Sequence, residues 1–268
     1  MMTALSLVPM LSHAAVFWDD EMEQGNTDFS PAYMLSTMIP GGNMAYDTNV
    51  KFSGNGSIRL NYTPNCQTLT TQNQCGGSAT RMFPLTEDVW KRVYFRMSGT
   101  GPNPTNSGVF ETAVAAFSKM LKGQSTTVNG LVARHWWTMG CCTSKRFGIG
   151  MEYVPTASNT TVFLSSITLV DNRWYCIETH EKMNTPGLPD GIAEAWVDGV
   201  KVATKTDVNW RRAGSTVQWT EFSIFRQVGI GNIWWDRFAA GDTRIGCLGA
   251  TPASDTARPG PPQGLVIR

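Results

Sequence analysis

The stretch that decides the fold is Trp174-Tyr175-Cys176-Ile177-Glu178-Thr179-His180-Glu181-Lys182-Met183-Asn184. Side chains alternate across a strand, so Glu178, His180, Lys182 and Asn184 share one face while Ile177 and Met183 share the other. Two turn sequences follow, Asn184-Thr185-Pro186-Gly187 and Pro189-Asp190-Gly191, and then a second apolar run from Ile192 to Val197. Asp198-Gly199 separates that run from Val200 to Ala203, and an Asp-Gly pair between alternating apolar residues is a strong hairpin signal.

Working outward, similar runs lie at Ser57 to Tyr62, Val89 to Met97, Leu131 to Met139, Phe147 to Val154 and Thr161 to Leu169. Two more, Phe222 to Val228 and Asn232 to Phe238, bring the expected number to at least nine. The one helical candidate is Val109 to Leu121, rich in Ala, although its Val, Phe and Thr also suit a strand. No internal repeat supports a propeller or solenoid. The expectation is a single all-β domain, a two-sheet antiparallel β-sandwich.

Composition agrees. Of 268 residues, 41% are hydrophobic and 16% charged, and the 10 Trp, 26 Gly and 14 Pro favour pleated surfaces joined by tight turns. A net charge of +1 and the lack of a basic run give no electrostatic reason to bind nucleic acid. No apolar stretch is long enough for a membrane-spanning helix. The oligomeric state is not legible.

Six Cys without a Cys-x-x-Cys pair read as disulfides, hence an oxidising compartment: secreted, periplasmic or cell surface. Cys66 and Cys75, which enclose a Thr/Gln/Asn-rich loop, form the most credible bridge. Adjacent Cys141 and Cys142 are expected each to reach a distant partner, with Cys176 and Cys247 as the candidates. Residues 1–15 carry an apolar run and Ser12-His13-Ala14-Ala15, which read as the end of an export signal. Residues 16–250 make the domain, and residues 251–268, with Pro252, Pro259, Pro261 and Pro262, read as a Pro-rich tail or linker.

The pattern Trp174 to Asn184, Thr185-Pro186-Gly187, Asp190-Gly191 and Trp196-Val197-Asp198-Gly199-Val200 resembles the concanavalin A-like jelly rolls of the polysaccharide-lyase type, which are related to laminin-G-like and glucanase folds. Phe17 to Gly25 is similar to the family's acidic first strand, Gly54 to Tyr62 to its second, and Gly231 to Phe238 with Thr243-Arg244-Ile245-Gly246 to its last. The resemblance implies a concave sheet that lays a sugar chain across its strands. It also implies a structural calcium ion where the acidic first strand meets a late Asp, with Glu21, Glu23 and Asp236 as the hard oxygen donors this ion takes. Three solvated or hydrogen-bonded carboxylates are the alternative.

A fold of this kind hosts lyases, hydrolases and lectins, so activity must be read from side chains. A uronate lyase needs a cation for the sugar carboxylate, a base for the neighbouring ring proton and an acid for the leaving oxygen. His180, Tyr153 and Lys182 are the candidates for proton transfer, His180 first because its ordinary pKa lies near neutrality. Arg81, Arg96 and Arg226 are candidates for the carboxylate. His135, Trp137 and Trp196 could stack on or hydrogen-bond a pyranose ring, with Glu178 and Glu194 on hydroxyls. The competing account makes Glu178, His180 and Lys182 a solvated outer face with ordinary charge pairing. The sugar-binding account requires Arg96, His135, His180 and Arg226 to line one groove.

The chain lacks a Glu-x-Asp-x-x-Glu strand that would put two carboxylates on one side of a sheet, which demotes retaining glycoside hydrolysis. The reading is a carbohydrate-active jelly roll, a lyase acting on an acidic polysaccharide by β-elimination if it is catalytic. The alternatives are a non-catalytic carbohydrate-binding module and a cell-surface adhesion domain.

Overall fold

The computed structural model describes residues 16–23, 36–37, 42–62, 75–101, 119–125, 132–139, 146–154, 159–208, 217–227 and 230–249, with side chains on 16–23, 45–59, 86–98, 167, 169–208 and 232–249. These residues form fifteen strands in two antiparallel sheets. The eight-stranded sheet contains β1 (Val16–Asp20), β3 (Gly42–Asp47), β4 (Ser57–Tyr62), β6 (Asp88–Gly101), β11 (Trp174–Lys182), β12 (Gly191–Val197), β13 (Val200–Val208) and β15 (Ile230–Gly241). Its order is β13-β12-β11-β6-β15-β4-β3, with β1 also pairing β15. The seven-stranded sheet contains β2 (Ser36–Thr37), β5 (Cys75–Thr86), β7 (Lys119–Ser125), β8 (Val132–Met139), β9 (Arg146–Val154), β10 (Asn159–Thr168) and β14 (Val217–Gln227), in the order β10-β9-β8-β7-β14-β5-β2. Strands distant in sequence pair in each sheet, as in β6 between β11 and β15. The architecture is the expected two-sheet β-sandwich.

The described residues of all nine strand-like runs lie in strands except Leu169 and Met183, just past the ends of β10 and β11, and the Asp198-Gly199 hairpin joins β12 to β13 with both turn residues at positive φ. The helical expectation fails where it can be followed, since Lys119 to Leu121 begin β7; residues 109–118 lie outside the described residues. The expected export segment, the Pro-rich tail, Cys66, Cys141 and Cys142 also lie outside them. One cysteine expectation is corrected: Cys176 and Cys247 bond to each other, so neither is the partner of Cys141 or Cys142. A bridge of this kind suits an oxidising environment.

The core follows from strand alternation. In β6, Val89, Val93, Phe95 and Met97 enter the buried cluster with Ile177 of β11, Ala193, Ala195 and Val197 of β12, and Ile233 and Trp235 of β15. A bulge in β15 between Asp236 and Ala239, with Arg237 at φ 50°, lets both Trp235 and Phe238 enter the core while Asp236 stays on the other side. Full burial of side chains of this size contributes about 2 to 3 kcal/mol each. One charged pair interrupts the apolar face. Lys91 Nζ and Glu181 Oε2 lie 2.7 Å apart with both side chains 0% exposed.

Candidate functional site

The face of β6 and β11 opposite the core carries Asp88, Trp90, Arg92, Tyr94 and Arg96 alternating with the apolar positions, beside Cys176, Glu178, His180 and Lys182. Cross-strand pairing puts His180 level with Trp90 on one side and Glu194 on the other. The imidazole stacks on Trp90 with centroids 4.1 Å apart and planes at 10°. Its Nδ1 lies 2.9 Å from Glu194 Oε2 and its Nε2 2.8 Å from Asp88 Oδ1, so a protonated ring donates to both carboxylates. Burial pulls the His180 pKa down, but the hydrogen bonds and charges of Asp88 and Glu194 outweigh it and raise the value above 6.5. Glu194 is held below its usual range by the His180 hydrogen bond against burial, helped by Lys201, whose Nζ donates to Oε1 at 2.8 Å.

This geometry removes His180 from the list of free proton carriers, because neither ring nitrogen is left to meet a substrate. The charge pairing of the competing account holds for His180 and Glu178, but their solvation does not. His180 is 7% exposed and Glu178 1%; of the three, only Lys182 is exposed. His180 is covered by Trp90 and its two carboxylates, and Glu178 by segment 242–249, which runs back over the sheet. Glu178 accepts from the Gly246 N–H at 2.8 Å and from Arg244 at 2.9 Å, and Tyr94 accepts from the Leu248 N–H at 2.6 Å. Arg92 donates to Asp19 at 3.3 Å and to the Gly246 carbonyl at 3.4 Å, and the Cys176–Cys247 bond closes the strap. Trp196, 4% exposed, lies within 4.7 Å of the Arg244 guanidinium and 4.9 Å of Lys201 Nζ. Glu178, Glu194 and Trp196 thus have structural partners here. The sequence reading missed Asp88, Trp90, Arg92, Arg244 and Gly246, although the Asp88-x-Trp90-x-Arg92 alternation could have placed the first three beside β11.

The sequence-predicted residues do not converge. Arg96, Glu178, His180, Lys182, Glu194 and Trp196 belong to the eight-stranded sheet, whereas Arg81 (β5), His135 and Trp137 (β8), Tyr153 (β9) and Arg226 (β14) belong to the seven-stranded one. The expectation of one groove holding Arg96, His135, His180 and Arg226 is therefore corrected. Within the seven-stranded sheet, pairing places Met151, His135, Gly123, Thr220 and Arg81 in one row across β9, β8, β7, β14 and β5. At about 4.8 Å per strand the row spans about 19 Å. Tyr153 pairs with Ala133, two positions along β8 from His135.

A third cluster lies where β1 leaves the sheet beside the bulge of β15. Asp236, 0% exposed, accepts the Phe52 N–H at 2.6 Å and the Ser53 N–H at 3.1 Å through Oδ2, while Oδ1 has no hydrogen-bond partner among the described residues. Burial pushes the Asp236 carboxyl up to about 6, against the N–H groups of Ser53, Phe52 and Arg237 and with the charge of Glu23 adding to the rise. Glu23 Oε1 accepts the Asn55 N–H at 2.5 Å, and its Oε2 also lacks a partner among the described residues. Glu21 is held by Arg237. Gly54 sits at φ 63°, and a Cβ there would lie 1.7 Å from Glu23 Oε1. Among the described residues no three His, Cys, Asp or Glu form a metal-binding group. The expected trio of Glu21, Glu23 and Asp236 is therefore not assembled as a donor set, and only Glu23 and Asp236 keep a carboxylate oxygen, of the hard type Ca²⁺ takes, with no hydrogen-bond partner among the described residues.

No family model matches the chain, and no curated protein matches it by sequence. Solved structures do match. An endo-β-1,4-glucuronan lyase from the fungus Trichoderma reesei superposes with TM-score 0.54 at 14% identity, over 85% of this chain and 96% of that one. The fold is a two-sheet jelly roll like that of this lyase. The cellulose induced protein Cip1 matches this jelly roll with TM-score 0.54 at 17% identity, over 86% of this chain and 99% of that one. The marine PL-14 alginate lyase from Aplysia kurodai matches with TM-score 0.55 at 11% identity, over 85% and 99%. Identities this low establish the jelly roll and leave the chemistry to the side chains. Among the described residues no helix is long and apolar enough to cross a membrane.

Proposed function

We propose that this protein is an exported lyase that cleaves a uronate polysaccharide by β-elimination on the seven-stranded sheet. The observation that carries the reading is the register row that puts Arg81 and His135 level across four neighbouring strands, with Tyr153 on the strand beside His135. Supporting it, the fold is shared along nearly the full length of proteins described as a glucuronan lyase and an alginate lyase. Arg81 neutralises the sugar carboxylate and so stabilises the carbanion formed beside it, while Arg226, six positions along β14 from the row, meets the carboxylate of another sugar in the chain. Of His135 and Tyr153, one takes the ring proton and the other protonates the oxygen that leaves as the glycosidic bond breaks. Trp137, next but one to His135 on β8, stacks on a sugar ring.

The products carry an unsaturated uronate that absorbs ultraviolet light. Incubation with polyglucuronate, alginate, pectate and glycosaminoglycans tests the reading; one substrate in the panel should give rising absorbance that His135→Ala or Tyr153→Phe abolishes. Retention on one of these polymers without absorbance would replace the lyase by a carbohydrate-binding module. Absence of both would overturn the saccharide reading.

Calcium is part of the same proposal, as a structural ion. Glu23 and Asp236 hold it through the oxygens that have no partner among the described residues, pinning the first strand to the last, and it supplies cross-linking charge without a chemical step. Melting temperature measured with calcium and with a chelator checks this, and an identical value in both rules it out.

A further inference from the structure

The eight-stranded sheet presents a ladder of alternating rings and guanidinium groups. Pairing places Trp174, Arg96, Trp234 and Arg59 level across β11, β6, β15 and β4. Their charges are not treated alike. Among the six arginines whose side chains are described, Arg59, Arg92, Arg173, Arg237 and Arg244 each lie within ion-pair distance of a carboxylate: Asp47, Asp19, Asp198, Glu21 and Glu178 in turn. Arg96 is the sixth. Its described partners are the neutral Asn172 Oδ1 at 3.3 Å and the Trp234 ring at 5.5 Å, and its Nε has none. A half-buried guanidinium without a counter-charge among the described residues is a position that a soluble anion can fill.

Beside it lies an aromatic ledge. Phe52, 36% exposed, stacks on Tyr94 with centroids 3.6 Å apart and meets Trp174 edge-on at 6.1 Å. Trp174 is half-buried and Asn172 exposed. Aromatic faces pack against the apolar face of a pyranose, and a guanidinium fork donates two parallel hydrogen bonds to a carboxylate. We infer that Arg96, with Trp174 and Phe52, forms a subsite on the eight-stranded sheet for the carboxylate of a uronate chain, apart from the row on the seven-stranded sheet. Its ligand class rests on the proposed function; its geometry does not. Such a subsite holds a long polymer on the opposite sheet from the one that cuts it.

The test is affinity electrophoresis through gels containing polyglucuronate, alginate or a neutral glucan, with wild type, Arg96→Gln, Arg96→Lys, Phe52→Ala and, as a control, Arg173→Gln, whose charge is already paired. Melting temperatures confirm which variants are folded. Wild type should be retarded by a uronate polymer more than by the glucan, and less so as salt rises. Arg96→Gln and Phe52→Ala should each weaken retention about fivefold, Arg96→Lys by less, and Arg173→Gln not at all. Equal retention of wild type and folded Arg96→Gln or Phe52→Ala overturns the subsite, as does a wild type that runs freely through every uronate gel. Arg96-dependent retention without any unsaturated product would keep the subsite and remove the lyase. Cleavage with Arg96-independent retention would do the reverse.

Discussion

Trp90 and His180 stack 4.1 Å apart from neighbouring strands, and the imidazole so fixed reaches one carboxylate with each nitrogen. A proton on His180 is bound more tightly in the folded chain than in the unfolded one, since Asp88 and Glu194 outweigh burial and raise its pKa. The stabilisation is therefore complete below about 6.5 and is lost as pH rises through the raised value. Glu194 works in the opposite sense. Its pKa is lowered, so its share is present above 4.5 and disappears as pH falls through the lowered value. Thermal unfolding between about pH 5 and about pH 9 should show stability declining on the alkaline side, and His180→Gln should flatten that decline. The same alkaline slope in His180→Gln would show that another group is responsible.

Lys91 and Glu181 put a charge pair in an apolar layer. The contact is an ion pair at 2.7 Å rather than a well-directed hydrogen bond. Removing one member leaves the other charge buried without its opposite, which costs about 3 to 5 kcal/mol, whereas replacing both by apolar residues of similar volume is often neutral. Urea unfolding should therefore find Lys91→Met strongly destabilised and the double variant Lys91→Met with Glu181→Leu close to wild type. A double variant that loses the sum of the two single losses would mean that the charges contribute independently.

Much of this fold could be read in the sequence, because alternation is a local property. Ile177 and Met183 are buried on one side of β11 and His180 on the other, as a period of two dictates. What alternation cannot give is which sheet a strand joins or what covers its second face. His135 and His180 look alike in sequence, yet β8 and β11 lie in different sheets. Glu178 reads as solvated because its cover, segment 242–249, is more than 60 residues away, and His180 does so because Trp90 and Asp88, which close over it, come from a strand some 90 residues back. Asp236 was legible as an acid, but its burial depends on Phe52 and Ser53, 184 and 183 positions away.

The strap is held chiefly by covalent closure. Cys176 and Cys247 are 71 residues apart, and a loop of this length contributes about 4 kcal/mol in the chain-entropy account. Replacing both by Ala should lower stability by up to that amount. Freed of the bond, the strap should expose the Gly246 and Leu248 N–H groups, which now donate to Glu178 and Tyr94, to faster hydrogen exchange. Unchanged protection of those two amides in the double variant would show that Arg92, Arg244 and Glu178 suffice to hold the segment.

Gly54 offers a test of the proposed calcium site that does not touch a ligand. Alanine there has two consequences: a left-handed φ of 63° costs a Cβ-bearing residue about 1 to 2 kcal/mol. The new methyl also meets Glu23 Oε1 at 1.7 Å, and as that oxygen ends a flexible side chain, Glu23 swings away and gives up the Asn55 N–H. Gly54→Ala should thus lower the melting temperature and shrink the rise that calcium produces in the wild type. Asp236→Asn keeps an oxygen to accept from Phe52 and Ser53 but removes the charge, so it should abolish the calcium response with a smaller loss of stability. If Asp236→Asn responds to calcium as the wild type does, the ion binds elsewhere, and the unpartnered oxygens of Glu23 and Asp236 serve only the packing of β1 against the loop.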